Sequence, residues 1–344
     1  MSDMIRREPV AVQETLRTAR ESASDFPSLP PEAPLYLIGQ GTSFHAALAT
    51  EAAAQRWLGL RRAVRALPSL DALVYEDQLD AAGFAIVFSA SGETAVTIRA
   101  QETLTSRGIP HLLITHSPTS TSAHRATQTL ATRNAEEESW THTVSYQAAI
   151  VAALAVFESW SDRKDAIEPR LTQAATLVKE LVDRENEVRA IAEAVLDRSK
   201  ILLLGSGPAF ATVREAALKI REASGRFSAT VGVEEALHGP MPAVDDATAL
   251  IALTLKPFER ERGERALHAA TLAGARAILL TRGEPGGEFP TFLLPPIDPE
   301  LSPLIDIVPL QWFAYWTGVL VGRNPDIMGL EIPRIFAARS SFGI

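Results

Sequence analysis

Three hydroxyl side chains and a glycine follow an apolar run in FAIVFSASGETAVTIRA, residues 84–100. The hydroxyls belong to Ser89, Ser91 and Thr94, and the residues after them have the spacing of a helix that starts near Glu93. Free N–H groups at a helix start, together with the positive end of the helix dipole, bind anions. The stretch therefore predicts an anion site. The alternative is that Ser91 only caps the helix.

A second hydroxyl pair, Thr42 and Ser43, follows the apolar run LYLIG at residues 35–39. Ligands of open α/β sheets bind outside the carboxyl ends of the strands, so two such turns at one edge favour a phosphate cradle. The turn GQG at residues 39–41 also resembles the start of a dinucleotide site. That alternative lacks the third glycine and the acidic residue that a ribose would need.

The second half of the chain carries acid–base groups at helical spacing. Lys219 and Glu222 lie three residues apart, as do Glu235 and His238, which precede a Gly-Pro break. A carboxylate and an imidazole near a bound phosphosugar suit enediol chemistry, in which one group moves a proton between adjacent carbons and another handles the ring oxygens. The alternative is a surface ion pair and a histidine that ends a helix.

Composition excludes several classes of function. The chain of 344 residues has a net charge of −9 and no long basic run, which argues against nucleic-acid binding. It contains no cysteine, so disulfides, thiolate metal sites and a cysteine nucleophile are excluded. No metal or other cofactor is expected, because no His-x-His or HExxH spacing occurs among the other histidines: His45, His111, His116, His124, His142 and His268.

Six short apolar runs alternate with Ala-rich helical stretches, which predicts an α/β fold with parallel sheets covered on both faces. The runs are LYLIG, FAIVFS, HLLITHS, ILLLG, ALIALTL and AILLTRG. The stretch LYLIGQGTSF at residues 35–44 aligns with LLLGSGPAF at residues 202–210, and the neighbouring strands align in the same register. We therefore expect two tandem, doubly wound domains.

The predicted organisation has five parts: a helical lead-in at 1–25, a first domain at 26–160, a helical connector at 161–198, a second domain at 199–322 and an irregular tail at 323–344. The N-terminus has no export signal, which predicts a cytoplasmic protein. The apolar run at 304–321 contains Asp306, Pro309 and Gln311, so a buried helix is expected and not a membrane span.

Four motifs in this order, GTSFHA, SASGET, EAALKIREASG and LHGP, resemble the paired sugar-isomerase (SIS) domains of the isomerase half of glucosamine-6-phosphate synthase and its stand-alone relatives. The relatives include glucosamine-6-phosphate deaminases and fructosamine-6-phosphate deglycases. The resemblance covers nearly the whole chain. It implies two flavodoxin-like, three-layer αβα domains and a phosphorylated sugar as ligand.

The resemblance also implies roles for individual residues. Glu222 would move the proton between C1 and C2, and Lys219 would contact the sugar hydroxyls or orient Glu222. His238 would assist ring opening from the other subunit of a homodimer. The ligands of the sugar phosphate would be Ser43, Ser89, Ser91 and Thr94, with Thr42 beside them.

The sequence departs from the family at two places. Ala90 replaces the glutamine of the usual Ser-Gln-Ser turn, and Ala338, followed by Arg339, replaces a tail lysine that engages the open sugar. Ala338, Arg339 and Glu235 are therefore only possible substrate contacts. Because this lysine is absent, the sequence does not decide whether a Schiff base assists the reaction or which sugar is bound.

The resemblance leaves several activities open. The synthase reaction is rejected, because its ammonia comes from a glutaminase domain whose nucleophile is a cysteine. An isomerase or a deaminase acting on an aminohexose 6-phosphate, or a fructosamine-6-phosphate deglycase, would share the first C1/C2 proton transfer. The non-catalytic alternative is a phosphosugar sensor, although no helix-turn-helix segment or basic face is present.

Overall fold

The computed structural model describes residues 1–30, 32–59, 62–285 and 287–341. Its residues divide into two compact units. The first unit comprises Arg6–Glu137 and His142–Thr176, and the second comprises Met1–Ile5, Glu138–Thr141 and Leu177–Ile344.

The first unit is built around a parallel five-stranded sheet with the order β2-β1-β3-β4-β5. Its strands are β1 (Leu35–Gly39), β2 (Val64–Pro68), β3 (Phe84–Phe88), β4 (His111–Thr115) and β5 (Gln128–Ala131). The helices that lie wholly or mostly in this unit are α1 (Ser2–Glu21), α2 (Thr42–Trp57), α3 (Ser69–Val74), α4 (Ala95–Ser106), α5 (Thr121–Arg125), α6 (Val144–Trp160) and α7 (Lys164–Val182).

The second unit has its own parallel five-stranded sheet, with the order β10-β9-β8-β6-β7. Its strands are β6 (Lys200–Gly205), β7 (Phe227–Gly232), β8 (Thr248–Leu253), β9 (Arg276–Thr281) and β10 (Thr291–Leu293). Its helices are α8 (Glu185–Ala194), α9 (Pro208–Ser224), α10 (Pro257–Leu272), α11 (Ser302–Leu320) and α12 (Pro333–Ser340).

The two sheets have the same topology. Read from the opposite edge, the second order is β7-β6-β8-β9-β10, which matches β2-β1-β3-β4-β5 strand for strand. The inner strands β1, β3 and β4 are buried along their whole length, as expected for a sheet covered by helices on both faces. The prediction of doubly wound parallel sheets is confirmed.

The Gly-x-Gly turns have a structural explanation in both units. Gly41 has φ +58° and ψ −127°, and Gly207 has φ +52° and ψ −131°, a region that side-chain-bearing residues rarely enter. A Cβ atom on Gly39 would lie 2.5 Å from the backbone carbon of Ser43. These glycines therefore allow the first turn of the following helix to approach the strand closely.

The late apolar run forms α11, which is buried by its own unit. Leu304, Ile305 and Trp312 are fully buried, and α11 packs on α9 and α8. A buried helix was the prediction, and it is confirmed. Within the described ranges, no helix is long and apolar enough to cross a membrane.

The tail differs from its prediction. Residues 333–340 form α12, so the interpretation of 323–344 as irregular is wrong for that part. Pro333 stands at the start of the helix, where its fixed φ is favourable and its missing N–H costs nothing. Residues 342–344 of the predicted tail lie outside the described residues.

Candidate functional site

Ser89 is the first residue after β3, and its side chain is turned away from solvent. The residue is 3% exposed, and its Oγ has no hydrogen-bond partner among the described residues. A buried hydroxyl without a partner costs about 1–3 kcal/mol. Such a group is therefore a candidate for hydrogen bonding to a ligand.

The turn after Ser89 corrects one detail of the sequence interpretation. Helix α4 begins at Ala95 with Thr94 as its N-cap, two residues later than the predicted start near Glu93. Ser91 Oγ accepts a hydrogen bond from Glu93 N (3.2 Å) and does not cap α4. The alternative role of Ser91 as the helix cap is therefore wrong.

A small cavity lies at the carboxyl edge of the first sheet. It brings together the predicted hydroxyls of Thr42, Ser43 and Ser89, whereas Ser91 and Thr94 are exposed and do not line it. The other lining residues are Ala46, Ala90, Ile114, Thr115, His116, Thr132, His142, Ser145, Tyr146 and Ala149.

The cavity is lined without any Asp, Glu, Lys or Arg among the described residues. Its polar groups are hydroxyls and two imidazoles, which can donate hydrogen bonds to an anion. Ser145, which sequence reasoning missed, is 6% exposed and its Oγ is also without a hydrogen-bond partner in the described chain. Two unpartnered buried hydroxyls, Ser89 and Ser145, thus face one cavity.

His116 is the second lining residue that sequence reasoning missed. It is the first residue after β4, so its place at the strand's carboxyl end was a signal that could have identified it. Its Nδ1 lies 3.1 Å from Ser117 Oγ. Burial lowers the pKa of His116 below its ordinary value, which favours the neutral imidazole at neutral pH.

In the second unit, the residue that corresponds to Ser89 also carries a hydroxyl. Thr254 is the first residue after β8, as Ser89 is after β3. Thr254 Oγ1 donates a hydrogen bond to Thr281 Oγ1 at 3.0 Å. The hydroxyl of the second unit is therefore satisfied internally, and the hydroxyl of the first unit is not.

The two units also differ at the position that follows the next strand, β9 in the second unit and β4 in the first. Arg282 is the first residue after β9, as His116 is after β4. Arg282 Nη2 donates to Asp306 Oδ1 (2.6 Å), and Asp306 is fully buried. An internal ion pair thus occupies the place that the first unit leaves to a cavity. The first unit is the better candidate for ligand binding.

The acid–base groups of α9 are buried and not on the surface. Lys219 is 1% exposed and the Glu222 side chain is 14% exposed, with Lys219 Nζ 2.5 Å from Glu222 Oε2. Glu215, fully buried, places Oε1 3.3 Å from the same Nζ. The alternative of a surface ion pair is therefore wrong. Sequence reasoning missed Glu215, although its i,i+4 spacing from Lys219 was visible.

Burial and neighbouring charges shift the pKa of Glu222. Burial raises its pKa above the ordinary value, an effect that Lys219 opposes and the Glu215 carboxylate reinforces. A carboxylate with a pKa closer to neutrality accepts a proton more readily. Glu222 also lines an open pocket with Arg221, Arg323 and Arg334.

His238 lies at the surface of the second unit. Its side chain is 70% exposed, and Nε2 lies 3.0 Å from Glu234 Oε1. Glu234 also accepts two hydrogen bonds from Arg262, and these contacts lower the pKa of Glu234 to about 2. Glu235 Oε2 accepts a hydrogen bond from Gly232 N at 3.1 Å. In a single chain, neither Glu235 nor His238 lines the hydroxyl cavity.

Of the two tail residues at the place of the family lysine, one is exposed and the other packs on an aromatic ring. Ala338 is exposed, and the Arg339 guanidinium stacks on Trp140 at 4.6 Å and contacts Met328. Lysine is absent from residues 257–344. Within the described ranges, no three His, Asp or Glu side chains form a potential metal site.

The chain resembles known proteins in sequence and in fold. Residues 30–158, which include the hydroxyl cavity, match the family model of the SIS domain. The isomerizing glutamine–fructose-6-phosphate aminotransferase of Thermococcus kodakarensis is 26% identical over 326 residues, covering 91% of this chain and 53% of the relative. This chain thus spans about half the length of the curated relatives that it matches.

Solved structures share the fold over almost the whole chain. The C-terminal domain of glucosamine-fructose-6-phosphate aminotransferase from Francisella tularensis has a TM-score of 0.83 at 18% identity, covering 94% of this chain and 96% of that one. A glucosamine-6-phosphate deaminase from Thermotoga maritima has a TM-score of 0.73 at 20% identity, with coverages of 94% and 95%. At such identities the likeness establishes the three-layer α/β fold.

Proposed function

We propose that this chain is a phosphosugar isomerase that acts on a hexose or aminohexose 6-phosphate by proton transfer between C1 and C2. The carrying observation is the pair of buried, unpartnered hydroxyls, Ser89 and Ser145, in a cavity that Ser43 also lines. The SIS match over residues 30–158 supports the same ligand class. The exposed hydroxyls of Ser91 and Thr94 would contact the phosphate at the mouth of the cavity.

In the proposed reaction, Glu222 removes the proton from one carbon and returns it to the neighbouring carbon, through an enediol. Its raised pKa suits a group that must both accept and release a proton. Lys219 keeps the carboxylate oriented through their 2.5 Å contact. The hydroxyls and Glu222 belong to different units, and the proposal combines them because of the family resemblance.

A deaminase would use the same chemistry. If the substrate carries an amine at C2, proton transfer gives an imine whose hydrolysis releases ammonia and the ketose phosphate. A deglycase would act on a fructosamine 6-phosphate in the same manner. Without a lysine in residues 257–344, the amine for a covalent Schiff base cannot come from that segment.

We further propose a homodimer in which His238 contacts the sugar bound by the partner subunit. The exposure of the His238 side chain (70%) leaves it available for such a contact. One sequence argument for the dimer is withdrawn, because α11 is buried within its own unit and offers no large apolar face. The proposal therefore depends on the resemblance and on the position of His238.

A substrate panel tests the function. Fructose, glucose, glucosamine, galactosamine, N-acetylgalactosamine and fructosamine 6-phosphates are incubated with the protein, and ammonia release and aldose–ketose conversion are scored. Isomer product without ammonia supports the isomerase, and ammonia supports the deaminase. Tight binding of a phosphosugar, with no turnover and no exchange of the C2 proton with solvent deuterium, would instead support a sensor.

A further inference from the structure

We propose that Glu93 is a positioning residue for phosphate binding, because it holds the turn of residues 91–94, whose Ser91 and Thr94 hydroxyls would contact the phosphate. The inference rests on the proposed function, since it requires a phosphorylated ligand at this turn. Thr121 N, at the first position of α5, donates a hydrogen bond to Glu93 Oε1 at 2.8 Å. All of these residues belong to the first unit.

Glu93 places a carboxylate between two hydroxyls that would bind an anion, although like charges repel each other. The residue is exposed, so it does not contribute to the core of the unit. Hydrogen bonds from the backbone and the side chain of Thr121 lower the pKa of Glu93 below its ordinary value, which keeps the carboxylate ionised. The carboxylate therefore acts as a hydrogen-bond acceptor for the start of α5.

The backbone of the turn is attached to the same neighbouring segment. Ser122 N donates to Gly92 O at 3.0 Å, and Thr115 Oγ1 donates to Ala90 O at 2.8 Å. Gly92 has φ +70°, and a Cβ atom on it would collide with the Ser120 hydroxyl. Only a glycine fits between the turn and α5, so the two segments are built to lie against each other.

This attachment leaves the hydroxyls of the turn available to a ligand. Ser91 Oγ accepts a hydrogen bond from Glu93 N (3.2 Å), so its own O–H can still donate to an anion. Thr94, the N-cap of α4, is exposed. A turn that is fixed before the ligand arrives loses less conformational freedom on binding. We therefore expect the Glu93–Thr121 contact to increase the affinity for phosphate without touching it.

The corresponding turn of the second unit is held by a carboxylate in a different way. Glu259, in the first turn of α10, accepts hydrogen bonds through Oε2 from Leu255 N (2.9 Å) and Lys256 N (3.2 Å). These N–H groups, which follow β8, are therefore already satisfied within their own turn. Glu93 instead reaches a neighbouring helix, which leaves the turn after β3 open to a ligand.

Substitution of Glu93 tests the acceptor. Glu93→Ala should weaken the binding of fructose 6-phosphate, measured by calorimetry, by about three- to tenfold, because the hydrogen bond that holds the turn is lost. For the substrate that the panel identifies, KM should rise by a similar factor with kcat unchanged, since the phosphate is bound equally before and during the reaction. Glu93→Gln keeps an oxygen acceptor for Thr121 N and should restore most of the affinity.

Substitution of Thr121 tests the donor. Proline is favourable at the first position of a helix, and Ser120 already has the extended backbone (φ −71°, ψ 166°) that precedes a proline. Thr121→Pro therefore removes the N–H group and keeps α5, and it should weaken binding as much as Glu93→Ala. The double variant should be no weaker than either single variant, because both remove one contact.

Glu102→Ala is the matched control. Glu102 is an exposed carboxylate of α4 that also contacts α5, through Arg125 Nη2 at 2.9 Å, but it does not touch the turn of residues 91–94. This variant should keep the wild-type affinity. Thermal unfolding checks that each protein is folded, and Thr121→Pro tests the same contact if Glu93→Ala is not.

The outcomes separate this inference from the proposed function. Wild-type affinity in Glu93→Ala, a Glu93→Gln variant as weak as Glu93→Ala, or losses that add in the double variant would each overturn the positioning role while the wild-type protein still converts its substrate. A wild-type protein that binds fructose 6-phosphate in a Glu93-dependent manner but converts no sugar supports the positioning role and contradicts the isomerase. A protein that binds no 6-phosphosugar contradicts both proposals.

Discussion

Lys219 Nζ lies 2.5 Å from Glu222 Oε2 on one face of α9, and both side chains are shielded from water. The fully buried Glu215 carboxylate lies 3.3 Å from the same ammonium. Two carboxylates therefore share one cation. This arrangement raises the pKa of Glu222 through burial and the neighbouring negative charge, while Lys219 limits the rise.

The first prediction concerns Glu222→Gln. Glutamine keeps the size and hydrogen bonding of the side chain but cannot accept the proton, so turnover should fall by about two to four orders of magnitude. Phosphosugar binding, measured by calorimetry, should be retained. Exchange of the C2 proton with deuterated solvent should disappear. Exchange that survives in this variant would assign the base to another carboxylate, with Glu235 the first to examine.

The second prediction concerns the buried hydroxyls of the cavity. Ser89→Ala and Ser145→Ala should each weaken phosphosugar binding about tenfold or more, since a hydrogen bond to a charged group contributes about 1.5–3 kcal/mol. Stability of the free protein should not fall, because neither hydroxyl has a hydrogen-bond partner among the described residues.

Ser122→Ala is the matched control for this pair. Its Oγ is likewise buried and without a described partner, but Ser122 does not line the cavity. The control should keep the wild-type affinity for the sugar phosphate. A Ser89→Ala/Ser91→Ala double variant with unchanged affinity in calorimetry would contradict the phosphate cradle.

The sequence predicted the inner strands and missed the edge strands. The six apolar runs correspond to β1, β3, β4, β6, β8 and β9, which lie inside the two sheets. The four remaining strands, β2, β5, β7 and β10, form the sheet edges, and exposed or partly exposed residues interrupt their apolar pattern. An edge strand has a weaker hydrophobic pattern because part of it faces solvent.

The sequence predicted those residues of the candidate site that lie close to the end of a strand. Ser89 follows β3 directly and Ser43 lies in the first turn of α2, just after β1, so their place at the sheet edge could be inferred from the fold class. Ser145 reaches the same cavity from the start of α6, 56 positions after Ser89 in the numbering, and no local pattern indicates that approach. Tertiary packing alone brings it there.

The third prediction concerns pH and the buried pair of the second unit. Burial raises the pKa of Asp306 to about 6, above an unfolded value of about 3.9. The folded protein thus binds this proton more tightly than the unfolded chain. The resulting stabilisation is complete below pH 4 and is lost as the pH rises through 6.

Denaturant unfolding of wild type and Asp306→Asn at pH 4 and pH 7 measures this effect. A shift of about two pKa units corresponds to on the order of 3 kcal/mol. The free energy of unfolding of wild type, relative to the variant, should therefore decrease by that amount from pH 4 to pH 7. A difference that stays constant, or grows with pH, would show that Asp306 is ionised at both values.

The fourth prediction concerns the assembly and the reach of His238. If His238 contacts the sugar of the partner subunit, Glu222→Gln and His238→Ala chains are each impaired as homodimers for a different reason. A mixed dimer contains one centre with both residues intact and one with neither. It should recover about half of the wild-type activity per dimer if the centres act independently.

Differently tagged chains provide the measurement, because co-purification of both tags isolates the heterodimer. The side chain of His238 is 70% exposed, so its loss should leave each chain folded and able to pair. Recovered activity therefore reports complementation between chains and not rescue of folding. Heterodimers that form but stay as inactive as their parents would place His238 in the same centre as Glu222 of its own chain. Chains that remain monomeric at working concentration would contradict the dimer itself.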